Sequence, residues 1–258
     1  MIIEYHRPTS ISETLILLSR KQPLSYPIGG GTVLNRGMDV QVAVIDLQAL
    51  GLGSISRKGN HLQVGATVTL QRLLEYKGLA DEFYKTIEHE TTYNLRQMAT
   101  VAGKLVSSDG RSPFTTAMLA LDVSFEVHEQ DVEPKQVRLG DWLPIRGTFT
   151  PGKLITMVSI PLNIHFAYEY TARTPADLPI VCAAVAQWDS GRTRLALGGW
   201  GSSPVLALDG PNAEGIELAG KSAALGSQDE WASAEYRQEM AGLLALRCIS
   251  RIKLESTA

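Results

Sequence analysis

The stretch YPIGGGTVLN, Tyr26 to Asn35, places three consecutive glycines behind a short apolar run and directly ahead of a threonine. A backbone without side chains at three successive positions is one that something approaches closely, or one that turns where other residues are strained. Successive peptide N–H groups in such a turn form a concavity that takes phosphate oxygens, although a plain tight turn satisfies the same pattern. A second segment, Ala99-Thr100-Val101-Ala102-Gly103, again joins small residues to a hydroxyl. A diphosphate has two faces, and two such loops can clasp it.

Outward from these loops the chain alternates strand and helix signals. Ser10-Ile11-Ser12-Glu13, ahead of Leu15, Leu17 and Leu18, fits a capping box and predicts a short amphipathic helix. VAVIDLQAL from Val42 predicts a buried strand, and HLQVGATVT from His61 another. Helical periodicity runs from Leu70 to His89, whereas residues 94–114 lose all periodicity and read as loop. TTAMLALD from Thr115 predicts a short helix and VSFEVHE a strand. A charged, proline-containing turn is expected over Asp131 to Lys135. Composition shifts near Leu162-Asn163, which sets an expected domain boundary at residue 163. Beyond it FAYEYTA, PIVCAAVAQWD and TRLALGGWG predict an antiparallel meander, and the apolar period from Gln228 to Ile252 predicts a long helix. Strands followed by helices indicate a small α+β domain.

Composition narrows the function. The 258 residues are 44% hydrophobic and 20% charged, as in ordinary globular chains, with a net charge of −3. That balance gives no electrostatic footprint for nucleic acid or an anionic membrane. No segment approaches the roughly 18 to 20 apolar residues of a membrane-spanning helix, so no membrane insertion and a cytoplasmic location are expected. Cys182 and Cys248 are the only cysteines. They supply neither a disulfide framework nor the roughly four thiolates of a [2Fe–2S] centre. The histidines are scattered, with no metal-ligand spacing, and neither a P-loop, C-x-x-C, G-x-S-x-G, H-E-x-x-H nor G-x-G-x-x-G pattern occurs. Neither a catalytic residue nor a metal site is therefore expected. Trp142, Trp188, Trp200 and Trp231 read as core or interface anchors.

Taken in order, YPIGGGTVLN, VAVIDLQAL, HLQVGATVT and LRQMATVAGKLVSSDGRSPFTTAMLALD resemble successive segments of the FAD-binding medium subunit of molybdenum hydroxylases, the xanthine dehydrogenase and carbon monoxide dehydrogenase flavoprotein family. In that family the loops read A-G-G-T-x-L and N-x-A-T-I-G-G-N, with A-L-L-A-L-D-A closing the second region. YEYTARTPADLPIVCAAVAQWDSGRTRLALGGWGSSPV and ASAEYRQEMAGLLALRCI resemble its C-terminal domain, with an A-L-G-G-x-x-x-x-P turn and an S-A-E-Y-R helix. The likeness runs in the right order over nearly the whole chain.

The resemblance implies an α+β protein: a two-subdomain FAD-binding fold of the PCMH/vanillyl-alcohol-oxidase-like type over residues 1–163 (about 1–52 and 53–163), then a small α+β domain over 164–258 with an antiparallel sheet and helices. It implies FAD, with Ile28, Gly29, Gly30, Gly31, Thr32, Val33 and Leu34 on one side of the pyrophosphate and Thr100, Ala102 and Gly103 on the other. Residues 107–112, Ser108 and Asp109 among them, would pass near the ribose and adenosine, and residues 155–160 near the isoalloxazine. It further implies a large molybdopterin-binding subunit and a small [2Fe–2S] subunit, from which electrons reach FAD and then NAD, a quinone or another acceptor.

This chain departs from the family at several positions. Ala102-Gly103-Lys104 stands where the family has two glycines and an asparagine, and Lys104 offers either a charge for phosphate or a solvent-facing side chain. Pro113 occupies the place of the family aspartate in S-P-x-x-D, with Asp109 as an alternative partner for a sugar hydroxyl and Arg111 expected in a local salt bridge. Tyr170 replaces a basic position, either beside the flavin or packed on the sheet. These departures keep two alternatives open: a scaffold subunit with weak or no FAD binding, and a flavin oxidoreductase that works alone.

Overall fold

The computed structural model describes residues 1–33, 40–149 and 151–255. They form two compact units, each assembled from separate stretches of chain. The first comprises Met1–Glu75, Tyr93–Ser107 and Ser124–Ile160; the second comprises Tyr76–Thr92, Ser108–Val123 and Pro161–Ala258.

The first unit opens with a parallel three-stranded sheet, in which β3 (Val42–Asp46) lies between β1 (Ile2–His6) and β2 (Leu24–Ile28). A central parallel strand is covered on both faces, which is why VAVID is an uninterrupted apolar run ending in Asp46 and why all five residues are buried. Helix α1 (Ile11–Leu18) connects β1 to β2 and buries Leu15 and Leu18 against Ile45, Leu47 and Leu154. Its start follows the sequence pattern: the Glu13 N–H donates to the Ser10 hydroxyl (3.2 Å). The Glu13 carboxylate accepts from the Thr9 N–H, one residue before the cap position of a capping box.

The same unit holds a five-stranded sheet in the order β4 (Ile55–Lys58), β5 (His61–Gly65), β8 (Lys153–Pro161), β6 (Ser124–Glu129) and β7 (Val132–Arg138). Helices α2 (Leu70–Glu75), α4 (Tyr93–Arg96), α5 (Val101–Ser107), α7 (Leu139–Trp142) and α8 (Arg146–Phe149) belong to it as well. Trp142 is a core anchor, its ring edge-on to Phe125 with centroids 5.1 Å apart. The turn expected over Asp131 to Lys135 is shorter than the sequence suggests. Asp131 alone takes a left-handed φ of 57°, and β7 begins at Val132. Pro134 is accommodated because β7 is an edge strand, where a missing N–H breaks no central ladder.

In the second unit β9 (His165–Thr171), β10 (Val181–Gln187) and β11 (Thr193–Gly198) form the expected antiparallel meander, and β12 (Val205–Gly210) extends it by a fourth strand that the sequence reading does not include. Val181, Ala183 and Val185 on β10 join Leu195 and Leu197 in a core with α9 (Ile216–Ala223) and α10 (Ala234–Glu255), the predicted terminal helix. Cys182 points the other way and meets Thr116 of α6 (Pro113–Ala120). Covered on both faces, β10 can be apolar at nearly every position. Helix α3 (Asp81–Glu90) packs beside α6 and β9.

The loop expected over residues 94–114 is corrected by the structure, which puts most of α4, all of α5 and the first two residues of α6 there. All eight residues of α6 are buried, so no polar face exists to generate a period. Pro113 is the first residue of α6, behind Ser112, whose hydroxyl accepts from the Thr115 N–H (3.0 Å); a proline there gives up no helical hydrogen bond. The helical stretch expected over 70–89 is two helices, interrupted at Gly78 with φ 112°.

Both cysteines are buried and unpaired. Burial outweighs the neighbouring hydrogen bonds and pushes the Cys182 thiol up to about 12, and burial raises Cys248 well above the ordinary range. The folded chain therefore resists thiol-disulfide reagents at pH 8, and two thiols react once it is denatured. Because the native thiols hold their protons longer than unfolded ones, stability falls as pH rises from about 9 toward 12. Fast labelling of native protein would refute this.

Candidate functional site

A cleft of about 830 Å³ opens in the first unit, within the size range of ligand pockets. It lies where the chain leaves β2 and β3, the carboxyl ends of the parallel strands, the edge at which open α/β sheets bind ligands. Ile28 and Gly29 to Gly31 line it, with Thr100 and Met98 from the second loop.

The three glycines have separate geometric reasons. A Cβ on Gly29 would lie 2.8 Å from Thr100 Oγ1, and one on Gly30 only 1.7 Å from the Met98 carbonyl oxygen. Gly31 has φ 68°, in the left-handed region. What the first two glycines admit is the second loop. With the loops in contact, the Gly29, Gly30 and Gly31 N–H groups donate to no described backbone carbonyl, and all three residues line the cleft.

The second loop is fixed from below by the segment following β5. The Leu70 N–H donates to the Ala99 carbonyl and the Val101 N–H to the Val68 carbonyl, each at 2.8 Å, so Thr69 and Thr100 pair across a single antiparallel bridge. Thr100 is buried, and its hydroxyl accepts from the Gly103 N–H (3.2 Å). A Cβ at Gly103 would come within 2.7 Å of that hydroxyl, so Gly103 clears the space Thr100 needs to cap the start of α5.

The cleft thus gathers Ile28, Gly29, Gly30, Gly31 and Thr100 from the residues singled out in the sequence. Thr32 is half-buried and Val33 is 46% exposed, neither lining the cleft, and Leu34 lies outside the described residues. Ala102 is buried, with its N–H toward the Ala66 carbonyl (3.4 Å), and its methyl is absent from the lining; Gly103 is exposed. Lys104 is half-buried on α5. Residues 155–160 lie on β8 and do not line this cleft.

Ser108 and Asp109 belong to the second unit. The buried Ser108 hydroxyl accepts from the Thr115 hydroxyl (2.8 Å), in a network that continues through Ser112 to the buried Glu90 carboxylate (2.7 Å). Asp109 is exposed and accepts from the Arg111 N–H (2.9 Å). Among the described residues no carboxylate forms the salt bridge expected of Arg111. Its guanidinium donates to the Leu178 and Pro179 carbonyls and lies over Trp231, 4.4 Å from the ring centroid. Tyr170 packs on the sheet side of this unit, 4.1 Å from the His89 ring and stacked on Tyr168. Burial lowers the His89 pKa and keeps the ring neutral, while its Nε2 faces the Asp177 carbonyl at 2.7 Å.

Sequence reasoning missed Tyr5, Asp46, Gln48, Thr67, Thr69 and Arg72, all of which line the cleft. Only Asp46 carried a local signal, as the lone charge closing an apolar strand. Its carboxylate accepts from the Tyr5 hydroxyl and the Gln48 N–H, and Arg7 lies 3.8 Å away. The Tyr5 phenol is raised above its ordinary pKa by that bond. No group of three or more metal-ligating side chains occurs among the described residues.

This fold is that of a flavoprotein domain, and the chain belongs to the family described as the FAD binding domain in molybdopterin dehydrogenase, matched over residues 1–163. It is a flavoprotein subunit of an oxidoreductase of the molybdenum hydroxylase class, with FAD as its cofactor. The chain is 26% identical over 282 residues to the carbon monoxide dehydrogenase medium chain of Afipia carboxidovorans, covering 97% of this chain and 96% of that one. It is also 26% identical to the uncharacterized protein YgfM of Escherichia coli, over 95% and 94% of the two chains. Its fold matches a chain of the reconstituted CO dehydrogenase from Oligotropha carboxidovorans (TM-score 0.84, 23% identity, 98% of each chain). It likewise matches a chain of quinoline 2-oxidoreductase from Pseudomonas putida 86 (TM-score 0.80, 21% identity, 99% and 98%).

Proposed function

We propose that this chain is the electron-transfer subunit of a multi-subunit molybdenum hydroxylase. A large molybdopterin-binding subunit oxidises the substrate, and electrons pass through a small [2Fe–2S] subunit to FAD on this chain and on to NAD, a quinone or another external acceptor. Cys182 and Cys248 are buried and far fewer than a cluster requires, which favours clusters on a partner. No described helix is long and apolar enough to cross a membrane, consistent with work in the cytoplasm.

In this proposal residues 1–163 form the FAD-binding part and 164–258 the C-terminal domain. The observation that carries it is the docking of the glycine loop on the Thr100 loop, which leaves the Gly29 to Gly31 N–H groups at the cleft. Those donors take the pyrophosphate, and Thr100 holds the two loops together. Ser108 and Asp109, expected near the ribose, belong to the second unit and are given no part in this cleft; the Ser108 hydroxyl is committed to Thr115. When bound, FAD supplies the two-electron to one-electron exchange chemistry, and the chain contributes position and solvent exclusion. No side chain is assigned an acid or base step.

The test is an absorption spectrum of the purified full chain before and after FAD addition and desalting. Bands near roughly 370 and 450 nm, those of the flavin itself, support the proposal. A colourless chain that retains no added FAD overturns it in favour of a scaffold subunit, and oxidation of an organic donor by the chain alone would favour a stand-alone flavin oxidoreductase.

A further inference from the structure

The charges of the cleft are unequally satisfied. Asp46 and Arg72 are the carboxylate and the guanidinium that line it. Asp46 is 6% exposed and its oxygens accept from Tyr5 and Gln48, so it is a spent group. Arg72 is exposed to the cleft. Its Nη1 donates to the Gly53 carbonyl (2.7 Å), and no described carboxylate pairs with it. A guanidinium has five N–H donors in a planar fork, so one bond to a carbonyl leaves most of that fork available.

Arg72 is also placed by the machinery that builds the phosphate-facing wall. Gly29 packs on Thr100, Thr100 pairs with Thr69, and the Thr69 hydroxyl accepts from the Arg72 N–H (3.2 Å). The cation is thus tied to the second loop through Thr69 and anchored at its tip by Gly53. We propose that Arg72 is the cationic contact of the FAD pyrophosphate in this chain. It supplies the positive charge that the backbone N–H groups lining the cleft lack. The inference rests on the FAD assignment of the cleft.

The experiment titrates the full chain, freed of flavin, with FAD and separately with riboflavin, following flavin fluorescence, for wild type, Arg72→Gln and Arg72→Lys. Arg72→Gln is expected to weaken FAD about 10- to 100-fold, the loss of a charge-assisted contact, while riboflavin, which lacks phosphate, binds as to wild type. Arg72→Lys restores part of the FAD affinity, and the gap between wild type and Arg72→Gln narrows as salt rises. Unchanged FAD affinity in Arg72→Gln overturns the inference and leaves the FAD assignment standing. Equal losses for FAD and riboflavin also overturn it, since they mean that Arg72 only braces the Gly53 turn. A wild-type chain that binds neither ligand overturns the FAD assignment and this inference together.

Discussion

Replacing Gly30 by alanine is expected to abolish flavin retention and to destabilise the first unit by about 3 kcal/mol or more, beyond the usual cost of overpacking. The added methyl would sit 1.7 Å from the Met98 carbonyl oxygen and 2.5 Å from its carbon. Both are backbone atoms, so no rotamer change relieves the overlap and the glycine loop must lift away from the Thr100 loop. Gly59→Ala is the matched control: Gly59 has φ 59° but nothing within 4 Å of its Cβ position, so it costs only the strain of a left-handed alanine, about 1 kcal/mol. Denaturation midpoints and the ratio of flavin to protein absorbance read both effects. Gly30→Ala that keeps its flavin and melts with Gly59→Ala would remove the loop contact from the account of the site.

Arg237→Met is expected to cost about 3 kcal/mol in the second unit, because buried carbonyls lose their charge-assisted hydrogen bonds, while the exposed Asp229 end of the ion pair adds little. Arg237 is fully buried. Its guanidinium donates to the Ile180, Ser227 and Gly199 carbonyls and to both Asp229 oxygens at 2.8 Å. Methionine fills much of the volume but donates nothing to the three carbonyls, and it leaves Asp229 with the Trp231 and Ala232 N–H groups. Burial pulls the Asp229 carboxyl upward, but Arg237 and the Trp231 and Ala232 N–H groups outweigh it and hold the pKa below its ordinary value. A carboxyl so held adds stability above its ordinary pKa and loses it as pH falls through the lowered one. The variant should therefore show both a lower denaturation midpoint at neutral pH and a flatter acid limb. A midpoint within about 1 kcal/mol of wild type, with the acid limb intact, would refute the assignment.

The same guanidinium illustrates how local pattern and assembled structure divide the information. It sits in SAEYR, a helical segment legible from its period, yet nothing in that period says that position 237 gathers carbonyls from three other stretches. Likewise Gly110 is one glycine in a loop by sequence, while in the fold its N–H donates to the Gly201 carbonyl and a Cβ would lie 1.6 Å from the Trp200 carbonyl oxygen. Helix α6 is legible from Thr115 onward but not at Pro113 and Phe114, and the start of β7 reads as a turn because proline is tolerated only at an edge the sequence does not mark.

By itself the sequence determined the short-range features. These are the Ser10 cap, the apolar strands Val42–Asp46 and Val181–Gln187, the meander, the terminal helix and the two small-residue loops. Each is fixed by residues a few positions apart, through capping hydrogen bonds, side-chain alternation or backbone freedom, and so leaves a local trace. The tertiary structure alone decided that Gly29 and Gly30 make room for Thr100 and Met98, that Arg72 joins the same wall, and that the Ser108 hydroxyl is committed to Thr115. Those outcomes depend on which distant segments the chain's path brings into contact, and a residue's identity carries no record of a neighbour 70 positions away.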